Sequence, residues 1–400
     1  MMINMDVLHV NGAHFIRFLQ SSWSHKPSVE LLTRLPQYVA DPDTMLTTIF
    51  PLLLCVDRML ALRFILTLGS VDSINNIIKW VLQGERPYWW VREALHKGDD
   101  VPDLDHYPLT CETGPGSPSG HAMLCSAIGF VFLSYFCTLL KNSGYKYERN
   151  LRRCLSVSYL VLTIVVSLVR LHIATHFPHQ VLLGTVFGLL LGWIICKLPL
   201  NHFQPQHYRS FALGLLLSAF GTYYALIYFG INPTRTLHLA LKHCDDKSFV
   251  KMSTTPWHAV YRNFAVIFAC GSIVESAAWA TISRGDHLTH DHLFERVALG
   301  ALSILFVQTA CNFGAFFSKP YYIFYIVTVI KNFTYVYVCL NLMPSIVIHL
   351  SRSAMEKHNY RAPPAMTNGG GHYSNGHCGK EKNNNEIDFV EKTTHLRHRF

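Results

Sequence analysis

Residues 114–121 read Gly114-Pro115-Gly116-Ser117-Pro118-Ser119-Gly120-His121, and residues 122–140 continue A-M-L-C-S-A-I-G-F-V-F-L-S-Y-F-C-T-L-L without a charge. Glycine and proline keep the first half out of regular structure. The second half is long enough to cross a bilayer as one helix, which takes about 17–25 apolar residues. A polar turn therefore delivers Ser119, Gly120 and His121 to the head of an apolar helix. Working outward, the runs 154–169, 180–196, 210–231 and 297–318 are also uncharged and of similar length. Half of the 400 residues are hydrophobic and 15% are charged, against roughly 25% charged in an average soluble domain. A soluble globular protein does not need five such runs.

Four more segments read as spans that carry charges or breaks. Residues 263–283 include Glu275, 320–350 include Lys331, and 59–82 include Arg63, Asp72 and Lys79; the short run 45–56 contains Pro51. The fold class expected is an all-α polytopic membrane protein of about nine transmembrane helices. Residues 1–350 form the membrane domain. Residues 351–400, with Gly369-Gly370-Gly371 and Asn383-Asn384-Asn385, read as a disordered tail. No internal repeat is evident, and no basic-then-apolar leader marks a signal peptide. The net charge of +9 is scattered between spans, which reads as topology and not as nucleic-acid binding. Of the eleven cysteines, Cys111 and Cys244 fall in loops on one side. A disulfide is open to them, but two free thiols are expected.

Lysine and arginine concentrate on the cytosolic side of membrane proteins. Loop 141–153 holds Lys141, Lys146, Arg149, Arg152 and Arg153 against Glu148, so it is expected in the cytosol. Loop 83–117 and the turn at 170–176 then face the opposite compartment, and the tail lies in the cytosol.

That opposite face collects the chemistry. Lys79 and Arg86 are seven apart, nearly two helical turns, so they are expected to project from one face toward a phosphate. By itself the pair also fits a snorkelling lysine and a surface arginine. Ser119 and Gly120 are expected to bind phosphate through a hydroxyl and free backbone N–H groups at a helix N-terminus, with His121 placed as general acid and base. The blander reading is an ordinary helix cap. Arg170 and His176, six apart, would diverge by about 120° on a continuous helix. His176-Phe177-Pro178 therefore implies a tight turn that brings them together, with His176 as nucleophile and Arg170 on the transition-state oxygens.

His172 and His179 read as polar boundary residues. The partner orienting His176 is expected to be the Gln180 carbonyl or a backbone carbonyl. Asp72, one heptad before Lys79, is a more distant candidate for that role, its blander reading being a pairing with Lys79 or Arg63; Glu275 reads as an intramembrane acid, a functional candidate by default. No cofactor and no metal are implied, because no Cys/His set has ligand spacing. His372, His377 and Cys378 read as part of the disordered tail. The sequon at Asn332 lies within a span, and that at Asn232 is blocked by Pro233.

The three segments resemble the signature of the membrane acid phosphatases that include the type 2 phosphatidate phosphatases and are similar to vanadium haloperoxidases. The fuller pattern is K-x6-R-P, P-S-G-H and S-R-x5-H-x3-D; here Val169 replaces the serine and Gln180 the aspartate. Within that group, Lys79-Trp80, the stretch from Arg86 to Val91, C-E-T-G-P-G-S-P-S-G-H-A-M from Cys111, and His176-Phe177-Pro178-His179-Gln180 resemble the glucose-6-phosphatase catalytic subunits. Val7-Leu8-His9 and Thr254-Thr255-Pro256 add to the likeness.

The resemblance implies nine spans around a phosphatase helical core in the endoplasmic reticulum membrane, with the site in the lumen. It further implies hydrolysis of glucose 6-phosphate through a phospho-histidine on His176, protonation of the leaving oxygen by His121, and phosphate contacts from Lys79, Arg86 and Arg170. The physiological setting would be gluconeogenesis and glucose release, with a glucose-6-phosphate transporter as functional partner. The chain ends Arg397-His398-Arg399-Phe400 in place of that family's lysine-based retrieval signal. Two alternatives stand beside this: a lipid phosphate phosphatase with the same apparatus, and a non-catalytic phosphate-binding membrane protein.

Overall fold

The computed structural model describes residues 5–23, 33–36, 38–276, 293–314 and 321–346. The expected tail at 351–400 lies outside them. Among the described residues the regular structure is entirely helical. The helices are α1 (Met5–Trp23), α2 (Pro42–Val56), α3 (Arg58–Leu82), α4 (Pro87–Lys97), α5 (Gly120–Asn142) and α6 (Glu148–His172). They continue with α7 (Pro178–Lys197), α8 (Pro205–Tyr228), α9 (Arg235–His243), α10 (Pro256–Val274), α11 (Leu293–Gly314) and α12 (Tyr321–Tyr337, continuing to Ile346).

Five of these are long and apolar enough to cross a membrane: α5, α6, α7, α8 and Tyr322–Ile346 in α12. Pro42–Val56 and Val297–Ala310 are shorter apolar helices. The protein is thus a multi-pass membrane protein. Its outer surface agrees: Val157, Leu160 and Ile164 on α6, Leu182, Val186 and Trp193 on α7, and Leu213, Leu217 and Tyr224 on α8 are all exposed. So much outward-facing apolar surface is stable only against lipid.

Local chemistry explains the boundaries. Asp57 caps α3 by accepting from the Leu60 N–H at 2.6 Å. Pro51 does not break α2. Instead the turn before it, Met45–Ile49, opens into a π-helix, which accommodates the missing N–H and the bulk of the ring. Helix α10 begins at Pro256, earlier than the expected 263, because Arg262 is buried and paired and does not mark a membrane surface.

Helix α7 carries Gly184, Gly188 and Gly192 four residues apart, all facing α5. A Cβ on Gly188 would meet the Met123 carbonyl oxygen at 2.2 Å, and one on Gly192 the Ala127 oxygen at 2.8 Å. The stripe lets two backbones touch, the usual route to tight packing where lipid supplies no hydrophobic drive. Its first member sets the site: Gly184 lies against the backbone of Ser119 at the head of α5.

One expected charge role is corrected. Asp72 pairs with neither Lys79 nor Arg63. It accepts from Arg262 Nη2 at 2.5 Å and from Asn263 Nδ2 at 2.8 Å. Arg63 instead donates to the carbonyl oxygens of Ile195 (3.0 Å) and Cys196 (3.2 Å), which the end of α7 leaves unpaired. Glu275 follows the end of α10, largely exposed, in an ion pair with Arg209.

Candidate active site

The three sequence segments meet at one end of the bundle, opposite the connection between α5 and α6. Lys79 is buried in the last turn of α3. Arg86 does not share its helical face as expected. Gln83 adopts the left-handed conformation (φ 47°) and ends α3, and Pro87 holds Arg86 extended (φ −108°, ψ 148°). The chain turns back at this point and Arg86 is wholly buried. Its Nε donates to the Gly114 carbonyl (2.7 Å), Nη1 to Thr175 (3.1 Å) and Nη2 to Pro115 (3.3 Å). One guanidinium thus stitches all three segments together.

Ser119 precedes α5 and its N–H donates to the Gln180 carbonyl oxygen at 3.0 Å. Its hydroxyl is buried and has no hydrogen-bond partner among the described residues. Gly120 lies close to Asn75 and Lys79: a Cβ there would sit 3.1 Å from Asn75 Oδ1 and 3.7 Å from Lys79 Nζ. Arg170 lies in the last turn of α6, and a tight turn through Ala174 (φ 53°) carries the chain to His176. The Thr175 hydroxyl closes that turn on the Arg170 carbonyl at 2.7 Å.

His176 is fully buried, with Nδ1 2.7 Å from the Gly116 carbonyl oxygen. A carbonyl only accepts, so Nδ1 carries the hydrogen and Nε2 keeps its lone pair. Of the orienting partners left open by the sequence, the backbone carbonyl is the one used, and Asp72 is engaged elsewhere. Gln180 braces the turn instead: Oε1 accepts from the Phe177 N–H (3.1 Å) and Nε2 donates to the Glu85 carbonyl (2.6 Å). Burial, followed by Arg86 and Arg170, pushes His176 well below the usual histidine range, so the ring is neutral. His172 and His179 lie apart from this centre, His172 near Trp23 and Tyr107 and His179 stacked on Phe177.

Glu112 sits at the middle of the site, and sequence reasoning missed it. Its Oε2 is 2.9 Å from Arg86 Nη1 and 4.0 Å from His176 Nε2. Its Oε1 contacts Arg170 Nη2 and lies 3.7 Å from His121 Nδ1. Burial raises this carboxyl, but Arg170 and Arg86 outweigh that and hold it well below the ordinary carboxylate range. The available signal was an acid within the C-E-T-G-P-G stretch. A search for phosphate-binding cations passes over an anion.

Cys111, next to Glu112, is bonded to Cys244, which corrects the expectation of two free thiols. Helix α9 packs over α4 and buries both cysteines with Tyr88, Trp89 and Leu239. Their Cα atoms come within 5.9 Å despite a separation of 133 residues, a proximity that linear spacing does not reveal. The motifs at the edges of the resemblance act as braces. His9 stacks on Phe177 at 4.5 Å, and the Thr254 and Thr113 hydroxyls are 3.1 Å apart.

A cavity of about 280 Å³ opens from this centre. Lys79, Glu112, Gly120, His121 and Arg170 line one part; Asp41, Asp43, Asn75, Asn76 and Arg262 are among the groups lining the rest. Arg86, Ser119 and His176 are fully buried and do not line it; with the lining groups they set three cations, a neutral imidazole nitrogen and a second imidazole around Glu112.

The PAP2 superfamily model matches residues 60–204, which contain all three segments. The chain is 32% identical to glucose-6-phosphatase 2 of Mus musculus, covering 75% of this chain and 86% of that one. It is 31% identical to the Homo sapiens protein of the same name, with 82% and 92% covered. It is 33% identical to glucose-6-phosphatase catalytic subunit 1 of Haplochromis nubilus, with 69% and 79% covered. No solved structure matches it. With the PAP2 segments converging on one buried anion site and relatives matched over most of their length, the chain belongs to the glucose-6-phosphatase family and is a phosphoric monoester hydrolase.

Proposed function

We propose that this protein hydrolyses glucose 6-phosphate to glucose and inorganic phosphate at the luminal face of the endoplasmic reticulum membrane. His176 Nε2 attacks phosphorus, and the bond from phosphorus to the sugar oxygen breaks as His121 gives that oxygen a proton. His121 then takes a proton from water as the water attacks the phospho-histidine, releasing phosphate and free His176. Lys79, Arg86 and Arg170 hold the phosphoryl oxygens and offset the charge that builds on them. Ser119 and Gly120 complete the anion-binding turn.

The observation that carries the sugar over the lipid is the polar part of the cavity wall. Beside apolar Leu109, Leu124 and Phe249 it presents Asp41, Asp43, Asn75 and Asn76, groups that hydrogen-bond a sugar's hydroxyls and gain nothing from an acyl chain. Asn75 Oδ1 is buried and without a partner among the described residues, an acceptor free for a substrate hydroxyl. Luminal placement is supported by the basic loop at 141–153 on the opposite side and by a disulfide, which belongs to an oxidising compartment. In this reading nine spans cross the membrane, the 351–400 tail lies in the cytosol, and a glucose-6-phosphate transporter supplies substrate for glucose release.

The test is phosphate release from glucose 6-phosphate by detergent-opened microsomes, wild type against His176→Ala, with short-chain phosphatidate in parallel. Hydrolysis lost in the variant supports both substrate and nucleophile. Faster cleavage of phosphatidate would replace the sugar assignment with a lipid one. Binding of glucose 6-phosphate without release of phosphate would leave a non-catalytic binder.

A further inference from the structure

Glu112 occupies the place a phosphoryl group must take. One carboxylate oxygen meets Arg86 and the other Arg170, and the nucleophilic nitrogen of His176 is 4.0 Å from the nearer oxygen. Guanidinium groups bind carboxylate and phosphate in the same fork geometry, so the two anions exclude each other here. The backbone at Glu112 cannot easily retreat. Cys111 is tied to Cys244, the Tyr88 hydroxyl donates to the Glu112 carbonyl at 2.9 Å, and the Glu112 N–H donates to the Thr110 carbonyl at 2.9 Å. Substrate entry therefore swings the side chain alone, and its short reach keeps it in the cavity it already lines.

A carboxylate stripped of its guanidinium partners and still buried needs new donors. The wall it turns toward carries Asp41 and Asp43, which repel it, and Arg262, whose guanidinium is already held by Asp43 and Asp72. Lys251 also lines the cavity but is exposed, and a solvated amine is a weak partner. A polyol attached to the phosphate brings hydroxyl donors to that wall. Bare phosphate does not.

We propose that Glu112 is a specificity-determining residue that makes the site prefer phosphate carried on a polyol over free phosphate. At rest its carboxylate stands in for the phosphoryl group and keeps the cations together. On binding it is displaced and accepts hydrogen bonds from the substrate's hydroxyls. Once the sugar has left and water has cleaved the phospho-histidine, the carboxylate, without those donors, returns to the arginines and expels phosphate. This inference rests on the glucose 6-phosphate reading above.

The test measures binding of glucose 6-phosphate and of orthophosphate to the full-length chain in detergent by calorimetry, in His176→Ala and in His176→Ala with Glu112→Gln. The first protein should bind the sugar phosphate more tightly than orthophosphate. In the second, orthophosphate should gain roughly tenfold or more and the sugar phosphate less, so that the preference collapses. An unchanged preference, or weaker orthophosphate binding, overturns the proposal while leaving the substrate reading intact. Failure of the parent to bind either ligand overturns the substrate reading as well. If Glu112→Gln shows no melting transition, Glu112→Asp, too short to span both arginines, should shift the preference in the same direction by less; no shift overturns the proposal.

Discussion

The Gly116 carbonyl oxygen and His176 Nδ1 lie 2.7 Å apart, so the glycine-rich turn sets which nitrogen of the nucleophile is free. Only one tautomer satisfies that bond, and it aims the unprotonated Nε2 at Glu112 and the arginines. The link depends on Gly116 having no side chain. A Cβ there would sit 2.4 Å from the Glu85 carbonyl oxygen and 3.0 Å from both Arg86 Cγ and Gln180 Oε1. Gly116→Ala should displace the turn and lower kcat about 100-fold, the scale expected for a shift near 1 Å in a reacting group. Activity within a few-fold of wild type in the folded variant would show that the turn does not position His176.

Gln180 tests a different part of the same frame. It accepts from Phe177 and donates to Glu85, and its own carbonyl takes the Ser119 N–H. Gln180→Glu keeps the shape but sets a carboxylate oxygen against the Glu85 carbonyl. The variant should lose about 1–3 kcal/mol of stability, read as a lower melting temperature in detergent, and most of its activity. A melting temperature equal to wild type would mean that the donor to Glu85 carries no structural weight.

Much of this was legible in sequence because membrane helices announce themselves by length and the phosphatase segments lie at helix ends. The turn between Arg170 and His176 followed from the proline at 178 and the angle of a continuous helix. Besides the disulfide, three features were not legible, each for a physical reason. Arg86 left the face of Lys79 because Gln83, a residue with no strong turn signal, took the left-handed conformation. Glu112 was hidden by its sign, since an anion among cations makes sense only once the guanidiniums are seen around it. The partner of Asp72 lies 190 residues along the chain at Arg262, a pairing that neighbouring charges do not suggest. The glycine stripe 184-188-192 was present in the sequence at helical spacing, but the α7 run reads as apolar throughout and its small face was not separated from its lipid face.

The Cys111–Cys244 bond tethers the loop of Glu112 to the cap formed by α9. Cys111→Ser and Cys244→Ser should each cost about 2–4 kcal/mol, and the double variant no more than either alone, because each removes the same crosslink. Melting in detergent with and without reductant reads this directly. Wild type in reductant should fall to the level of the variants. Additive losses, or a wild type indifferent to reductant, would remove the disulfide from the account.

Acid sensitivity provides the remaining check. Burial, then Arg86 and Arg170, holds folded His176 well below its ordinary value of 6.5. Below that pH the unfolded chain gains a proton at this ring and the folded chain does not. The unfolded state therefore binds more protons, and stability rises with pH. The unfavourable contribution is absent above the ordinary value and grows as pH falls beneath it, by at most about 1.4 kcal/mol per pH unit. His176→Gln cannot take that proton. At pH 8 the variant should be the less stable protein, by about 1 kcal/mol for the altered bond to Gly116. As pH falls toward 5 the gap should close and then reverse, because the remaining buried histidines are common to both proteins. A gap that stays constant from pH 8 to pH 5 would mean that His176 takes its proton as readily in the fold as out of it, and a neutral nucleophile held by burial and two arginines would have to be given up.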